Sequence, residues 1–151
     1  MNLTTHTLQD YIDLLSRRGL LAENAPAVPN GAAPVQLVSY DSRQVVPGTL
    51  FICKGAHFKG EFLQSAKDRG AIAYVSTVPY PQVDLPCIPV SDMRAAIAPL
   101  ADLFYNHPSG RLKVIGITGT KGKSSTAYYL KHILDGLEEG QGRPETAVIS
   151  S

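Results

Sequence analysis

Apolar positions recur at two spacings over the first 105 residues, and together they predict alternating helices and strands. After Thr7, apolar residues return every three or four positions until Gly19, which predicts a helix over residues 8–18. Helical spacing returns at 61–69 and from Asp92 to about Tyr105, and short apolar runs predict strands at 35–40, 49–53, 71–75 and 87–90. This order predicts an α/β domain, which we expect to contain a small mixed sheet.

A second set of elements follows a break at Asn106–Gly110. Proline disfavours helical geometry in the residue before it, so the preceding helix is expected to end there. The apolar run Leu112–Ile117 predicts a buried strand, helical spacing covers 127–137, and Thr146–Ile149 predicts another strand.

The break also predicts a domain boundary. Residues 1–110 have the size of a common domain, and residues 111–151 would begin a second one. A single strand–helix–strand unit cannot cover both faces of a parallel sheet, so we expect this second domain to be incomplete.

The composition is that of a globular protein, with 44% apolar and 18% charged residues. A net charge of +1 gives no electrostatic reason to expect nucleic acid or a membrane as partner. No apolar stretch could span a bilayer and no signal peptide opens the chain, so cytoplasmic residence is the default expectation. A monomer is expected, although the sequence leaves the oligomeric state open. Cys53 and Cys87 lie in apolar segments and are expected to be buried free thiols.

The segment Gly116–Ser125 reads GITGTKGKSS between the predicted strand and helix. A glycine loop followed by Lys-Ser at a helix start can surround a polyphosphate with backbone N–H groups. Lys123 would reach the terminal phosphates, and the Ser124 hydroxyl would bind Mg²⁺. The residues expected to hold the phosphates are Gly119, Thr120, Lys121, Gly122, Lys123, Ser124 and Ser125.

This loop departs from the standard phosphate-binding pattern at one position. The pattern has glycine five residues before the Gly-Lys pair, where this chain has Ile117. The segment is therefore either a glycine turn before a helix or a variant loop. A nucleoside triphosphate site is the favoured interpretation, because a turn needs no lysine followed by two serines.

Two other strand-end segments, Tyr40–Arg43 and Lys54–Gly60, carry groups that could grip a diphosphate. His57 and Phe58 could pack against a base or sugar. A structural role is equally open at this point, since Asp41 could form an Asx-turn and pair with the arginine two residues later.

The two sets of residues, in this order, resemble the Mur ligases of peptidoglycan synthesis. Thr118–Ser125 matches the ATP loop of the family, which explains the missing glycine as a family variant. Asp41–Arg43, Val46–Phe51 and Gly70–Ala71 are similar to the domain that binds the UDP-sugar in the third and fourth ligases of the pathway. Asn106–Ser109 before the Gly-Thr form of the loop favours the third ligase.

The resemblance implies a role for each matching residue. Ser42 and Arg43 would contact the UDP part of the substrate, and Gly55, Ala56, His57 and Phe58 would line the same site. Lys123 would be the catalytic residue of the ATP loop, with Mg²⁺ on Ser124. The implied reaction uses ATP to activate UDP-N-acetylmuramoyl-L-alanyl-D-glutamate as an acyl phosphate, which the amine of L-lysine or meso-diaminopimelate then attacks.

Other readings stay open on the sequence alone. The chain could belong to the D-alanyl-D-alanine-adding ligase, to a folate- or cyanophycin-type synthetase, or to a non-catalytic module that only binds a nucleotide. The remaining catalytic groups would lie beyond Ser151, so we expect the 151 residues alone to be inactive as a ligase.

Overall fold

The computed structural model describes residues 5–23, 25–55, 58–138 and 146–149. The chain divides into two compact units, Met1–Leu112 and Lys113–Ser151, here called the N-terminal unit and the C-terminal unit. Each unit is described separately below.

The N-terminal unit contains every helix and strand that the apolar spacing predicts for the first 105 residues. Its elements are α1 (Leu8–Arg17), β1 (Leu37–Ser39), β2 (Thr49–Ile52), α2 (Gly60–Asp68), β3 (Ala71–Ser76), β4 (Cys87–Pro89) and α3 (Met93–Phe104), followed by a 3₁₀ turn at Pro108–Gly110. Their bounds agree with the predicted ones to within about two residues, the usual uncertainty of element ends.

The helix-start signals act as the sequence predicts. The Thr7 hydroxyl accepts from the Asp10 N–H at 3.3 Å, and the Asp10 carboxylate accepts from the Thr7 N–H at 2.7 Å, which makes a capping box. The hydrogen bond from the Thr7 backbone lowers the pKa of Asp10. Asp92 caps α3 by accepting from the N–H groups of Arg94 and Ala95.

The four strands form one sheet in the order β1-β2-β3-β4, and every neighbouring pair is parallel. The α/β class is confirmed, but the sheet differs from the mixed one expected, since among the described residues antiparallel pairing occurs only as isolated bridges at Thr7–Pro34 and Leu21–Val90. The strands are only three to six residues long. A connection of about ten residues is therefore long enough to bring the chain back to the edge of the sheet where the previous strand began, so a parallel neighbour can follow without a helix between them.

Both faces of this sheet are buried, as a parallel sheet requires. Leu50 and Ile52 face α1 and α3, whereas Phe51 between them faces α2. β3 alternates in the same way, with Ala73 and Val75 on the first face and Tyr74 on the second. The result is two apolar layers, one on each side of the sheet.

The C-terminal unit contains the predicted helix, α4 (Lys123–Glu138). The prediction of two strands beside this helix is wrong. Residues 112–117 and Thr146–Ile149 are irregular, and the described part of this unit contains no strand. Val114 is 71% exposed. A strand needs a neighbouring backbone to accept and donate its hydrogen bonds, and the described residues here offer only a helix and two short segments.

Candidate functional site

The parallel sheet brings the segments after β1 and β2 to one edge, because the carboxyl ends of parallel strands lie together. This edge is where open α/β sheets bind ligands. Tyr40 follows β1 and Lys54 comes soon after β2, and the Lys54 ammonium lies 5.1 Å from the centroid of the Tyr40 ring. The two strand-end segments that the sequence singled out therefore meet.

The segment after β1 is folded by its own hydrogen bonds. The Asp41 N–H donates to the buried Ser39 hydroxyl at 3.1 Å. The Asp41 carboxylate accepts from the Arg43 N–H at 2.9 Å and from two guanidinium nitrogens at 2.9 and 2.7 Å. Both structural interpretations of Asp41 and Arg43 are thus present, the Asx-turn and the ion pair.

This pairing determines the charge state of the turn. Hydrogen bonds from the Arg43 side chain and backbone lower the pKa of Asp41 to about 2, and the same carboxylate raises the pKa of Arg43. Ser42 lies between them, partly exposed, with no hydrogen-bond partner among the described residues. The turn therefore presents the Ser42 hydroxyl beside a guanidinium whose forked donors already bind a carboxylate.

We expect the stabilising effect of the Asp41 carboxylate to disappear in acid. Its pKa falls from 3.8 to about 2 on folding, so its contribution is fully present above pH 3.8 and is lost as the pH falls through about 2. Thermal unfolding of the unsubstituted chain and of Asp41→Asn should differ at neutral pH and converge in strong acid.

Asp68→Asn is the matched control, because this exposed aspartate accepts from the neutral Gln64 amide rather than from a cation. A stability difference between Asp41→Asn and the unsubstituted chain that persists unchanged in strong acid would contradict the assigned role of the Arg43 pair.

The segment after β2 turns at a glycine. Gly55 has φ +112°, a conformation that favours glycine over any residue with a side chain. Ala56 and His57, both expected at the site, lie outside the described residues. The Phe58 ring packs against Phe51, Phe62 and Tyr80 with centroids 6.2, 6.1 and 5.4 Å away. Phe58 thus anchors the end of this loop to the apolar layer, and its contact with a ligand stays a prediction.

A group of hydroxyl and thiol side chains lies in the second apolar layer, where Cys53 and Tyr74 are buried and Cys87, contrary to expectation, is only partly buried. Burial raises the pKa of Cys53 and of Tyr74 to about 12 each, and it also raises the pKa of Cys87. The Tyr74 hydroxyl accepts from the Tyr80 N–H at 2.8 Å. Both cysteines are free thiols, as expected, and all these groups are protonated at neutral pH, so they support the edge structurally.

In the C-terminal unit, the glycine loop leads directly into α4. Gly119 and Gly122 have φ +151° and +77°, which only glycine adopts readily, and a Cβ at Gly122 would meet nothing within 4 Å. The Lys123 ammonium donates to the Gly119 carbonyl at 2.9 Å. The lysine therefore folds back over its own loop, where a phosphate oxygen could replace that carbonyl.

The same loop can supply backbone donors for an anion. The first N–H groups of a helix have no partner within it, and α4 starts at Lys123. These features fit a bound polyphosphate, and the hydroxyl of Ser124 suits Mg²⁺. Among the described residues, no cluster of three or more His, Cys, Asp or Glu could hold a metal ion.

Comparison with known proteins identifies a family whose members match this chain across both the turn after β1 and the glycine loop before α4. No protein-family model matches the chain. A Lactobacillus acidophilus protein named UDP-N-acetylmuramyl-tripeptide synthetase is 43% identical over 146 residues, covering 96% of this chain. An Enterococcus faecalis UDP-N-acetylmuramoyl-L-alanyl-D-glutamate–L-lysine ligase is 48% identical over 105 residues, or 70% of this chain. The chain belongs to the Mur ligase family, in the MurE branch.

This Mur ligase chain is much shorter than its relatives. It spans 27% of the L. acidophilus protein, 21% of the E. faecalis ligase and 19% of a Limosilactobacillus reuteri tripeptide synthetase to which it is 53% identical. No helix in the described ranges is long and apolar enough to cross a membrane.

Solved structures of Mur ligases share the fold. MurF from Acinetobacter baumannii aligns with a TM-score of 0.62 at 22% identity, covering 91% of this chain and 29% of that one. MurF from Thermotoga maritima, solved in complex with ADP, aligns with a TM-score of 0.51 at 26% identity, covering 68% of this chain and 24% of that one. These two structures are MurF ligases at low identity. The relatives at 43–53% identity are instead named tripeptide synthetases or an L-lysine ligase, and their names support the MurE interpretation over the D-alanyl-D-alanine-adding one.

Proposed function

We propose that this chain is part of an ATP-dependent ligase that adds L-lysine or meso-diaminopimelate to UDP-N-acetylmuramoyl-L-alanyl-D-glutamate. The proposal rests on the match to the L. acidophilus tripeptide synthetase. The aligned region includes all but about five of the 151 residues. Both the turn at Asp41–Arg43 and the loop at Gly116–Ser125 lie within that match.

The N-terminal unit would bind the UDP part of the substrate at the carboxyl edge of its sheet. Ser42 offers an unpartnered hydroxyl there, and the positive φ of Gly55 turns the backbone after β2. Arg43 would act through its positive charge and through the turn that it stabilises with Asp41. Ala56 and His57 are proposed for the same site on the family resemblance alone.

The C-terminal unit would bind ATP at the glycine loop. Backbone N–H groups from Gly119 to Ser125 would surround the phosphates, and the Lys123 ammonium would exchange the Gly119 carbonyl for a phosphate oxygen. Mg²⁺ held on the Ser124 hydroxyl would supply further neutralisation of phosphate charge.

The proposed chemistry has two steps. The D-glutamate side-chain carboxylate attacks the terminal phosphorus of ATP, which forms an acyl phosphate and releases ADP. The amine of the diamino acid then attacks the acyl carbon, and inorganic phosphate and a proton leave as the amide forms. Phosphoryl transfer depends on alignment and charge neutralisation more than on a protein nucleophile, and Lys123 contributes that neutralisation here.

The test is ligand-dependent thermal stability of the chain. A ligand that binds only the folded state at 100 times its dissociation constant stabilises a protein by about 2.7 kcal/mol. We expect UDP-N-acetylmuramoyl-L-alanyl-D-glutamate and UDP to raise the unfolding temperature of the N-terminal unit. GDP is the matched control, because it carries the same diphosphate on a different base.

Two outcomes would contradict the proposal. Equal stabilisation by GDP and UDP would indicate a general anion site rather than a site for a uridine nucleotide. Stabilisation by ATP without any response to uridine ligands would favour a non-catalytic nucleotide-binding module.

A further inference from the structure

Tyr40 and Lys54 form an exposed cation–aromatic contact at the carboxyl edge of the sheet. They follow adjacent parallel strands, with Ser39 aligned to Phe51, so the strand register places both side chains at the same edge. The Tyr40 side chain is 64% exposed, and the Lys54 ammonium lies 5.1 Å from its ring centroid. Neither side chain contributes to the two apolar layers, so this contact is not needed to build the core.

The charge of Lys54 is available for a ligand. Arg43, the cation of the turn after β1, donates two side-chain hydrogen bonds to Asp41. Among the described residues, Lys54 has no carboxylate partner and meets only the π face of Tyr40. An anion arriving at this edge can therefore bind the Lys54 ammonium without displacing a carboxylate from it.

The contact is also one that an anion can break. A lysine ammonium is a compact charge on a flexible stem, and an exposed cation–π contact is weaker than a charge-assisted hydrogen bond to phosphate. When the ammonium moves to a phosphate, one face of the Tyr40 ring becomes free. Gly55, next to Lys54, adds no side chain, and a Cβ built there would meet no atom of the described residues within 4 Å.

We propose that Tyr40 and Lys54 act together as a clamp for a nucleoside diphosphate, in which Lys54 leaves the ring to bind the diphosphate and the base stacks on the ring in its place. No covalent bond changes. The identity of the base as uracil rests on the proposed function, whereas the exchange of the cation for the base rests on the contact itself. Tyr40 and Lys54 are thus binding residues that act before any chemical step.

The experiment measures the affinity of the 151-residue chain for UDP and for uridine by NMR titration at low and high salt. Lys54→Met should weaken UDP binding about tenfold, change uridine binding little and reduce the salt dependence of UDP binding. Tyr40→Leu should weaken both ligands about tenfold, and Tyr40→Phe should retain most of the affinity because the ring remains.

Matched controls lie at the opposite edge of the sheet. Lys67→Met removes the same charge from the last turn of α2, and Tyr105→Leu removes another tyrosine, 56% exposed, at the end of α3. Both should leave UDP affinity unchanged. Since Tyr40 and Lys54 are exposed, the site variants are expected to keep the unfolding temperature of the parent chain.

The outcomes separate this inference from the proposed function. If the unsubstituted chain binds UDP and Lys54→Met or Tyr40→Leu binds it equally well, the clamp is overturned and the UDP site stands. A loss for Lys54→Met that is equal for uridine and UDP would also overturn the exchange. If the unsubstituted chain binds neither ligand, both proposals fail.

Discussion

Lys123→Met is expected to weaken ATP binding by the chain at least about tenfold, since hydrogen bonds to charged groups contribute about 1.5–3 kcal/mol. The Lys123 ammonium lies over the glycine loop, 2.9 Å from the Gly119 carbonyl, where it can transfer to a phosphate oxygen. Methionine keeps most of the length of the side chain and removes its charge and donors. Calorimetric titration of the unsubstituted and substituted chains with ATP and Mg²⁺ measures the difference.

Lys113→Met is the matched control for this prediction. It removes one exposed lysine from the same unit, in the irregular segment before the loop, and should leave ATP affinity within about twofold because exposed charges at a distance are screened. Equal affinities for the unsubstituted chain and Lys123→Met would contradict the assignment of this loop to ATP. An unsubstituted chain with no affinity for ATP would contradict it as well.

Gly70→Ala is expected to lower the free energy of unfolding of the N-terminal unit by about 2–4 kcal/mol. Gly70 joins α2 to β3 with φ +98°, which is strained for alanine. A Cβ at this position would also lie 2.8 Å from the Pro47 Cα, a backbone atom that cannot rotate away. The Gly70 carbonyl accepts from the Gly48 N–H at 2.9 Å, so a shift here would disturb the turn that starts β2.

Gly19→Ala separates the two effects. Gly19 follows α1 with φ +66°, and a Cβ there would meet nothing within 4 Å. This variant therefore carries backbone strain without a clash, and we expect a loss of about 1 kcal/mol. Urea unfolding of both variants measures the difference. Equal losses would mean that the chain at Pro47 moves aside, and would contradict the steric part of the prediction.

The helices and strands of the N-terminal unit were predictable because their signals are local. The Thr7–Asp10 capping box, the Asp92 cap and the glycine after α1 each act within one turn of a helix, so residue type and spacing suffice. The same reasoning found α4 and the glycine loop before it. It also found the Asp41–Arg43 turn, whose contacts span only two positions.

The prediction failed where an element depends on distant partners. Leu112–Ile117 has the composition of a buried strand, yet the structure leaves it irregular and exposes Val114. The composition of a segment indicates whether it would pack well as a strand in a sheet, but not whether a neighbouring strand is available to pair with it. The expected mixed sheet failed for the same reason, since the direction of a neighbouring strand depends on the path of the connecting chain.

The amino-acid sequence by itself determined the element types of the N-terminal unit, helix α4, the phosphate-loop pattern and the family resemblance, because each depends on residues close together along the chain. Only the tertiary structure decided that all four strands run parallel and that Tyr40 meets Lys54. It also decided that the Phe58 ring packs against the apolar layer. Strand register joins residues that are distant in sequence, and one shifted position would turn each side chain to the other face of the sheet.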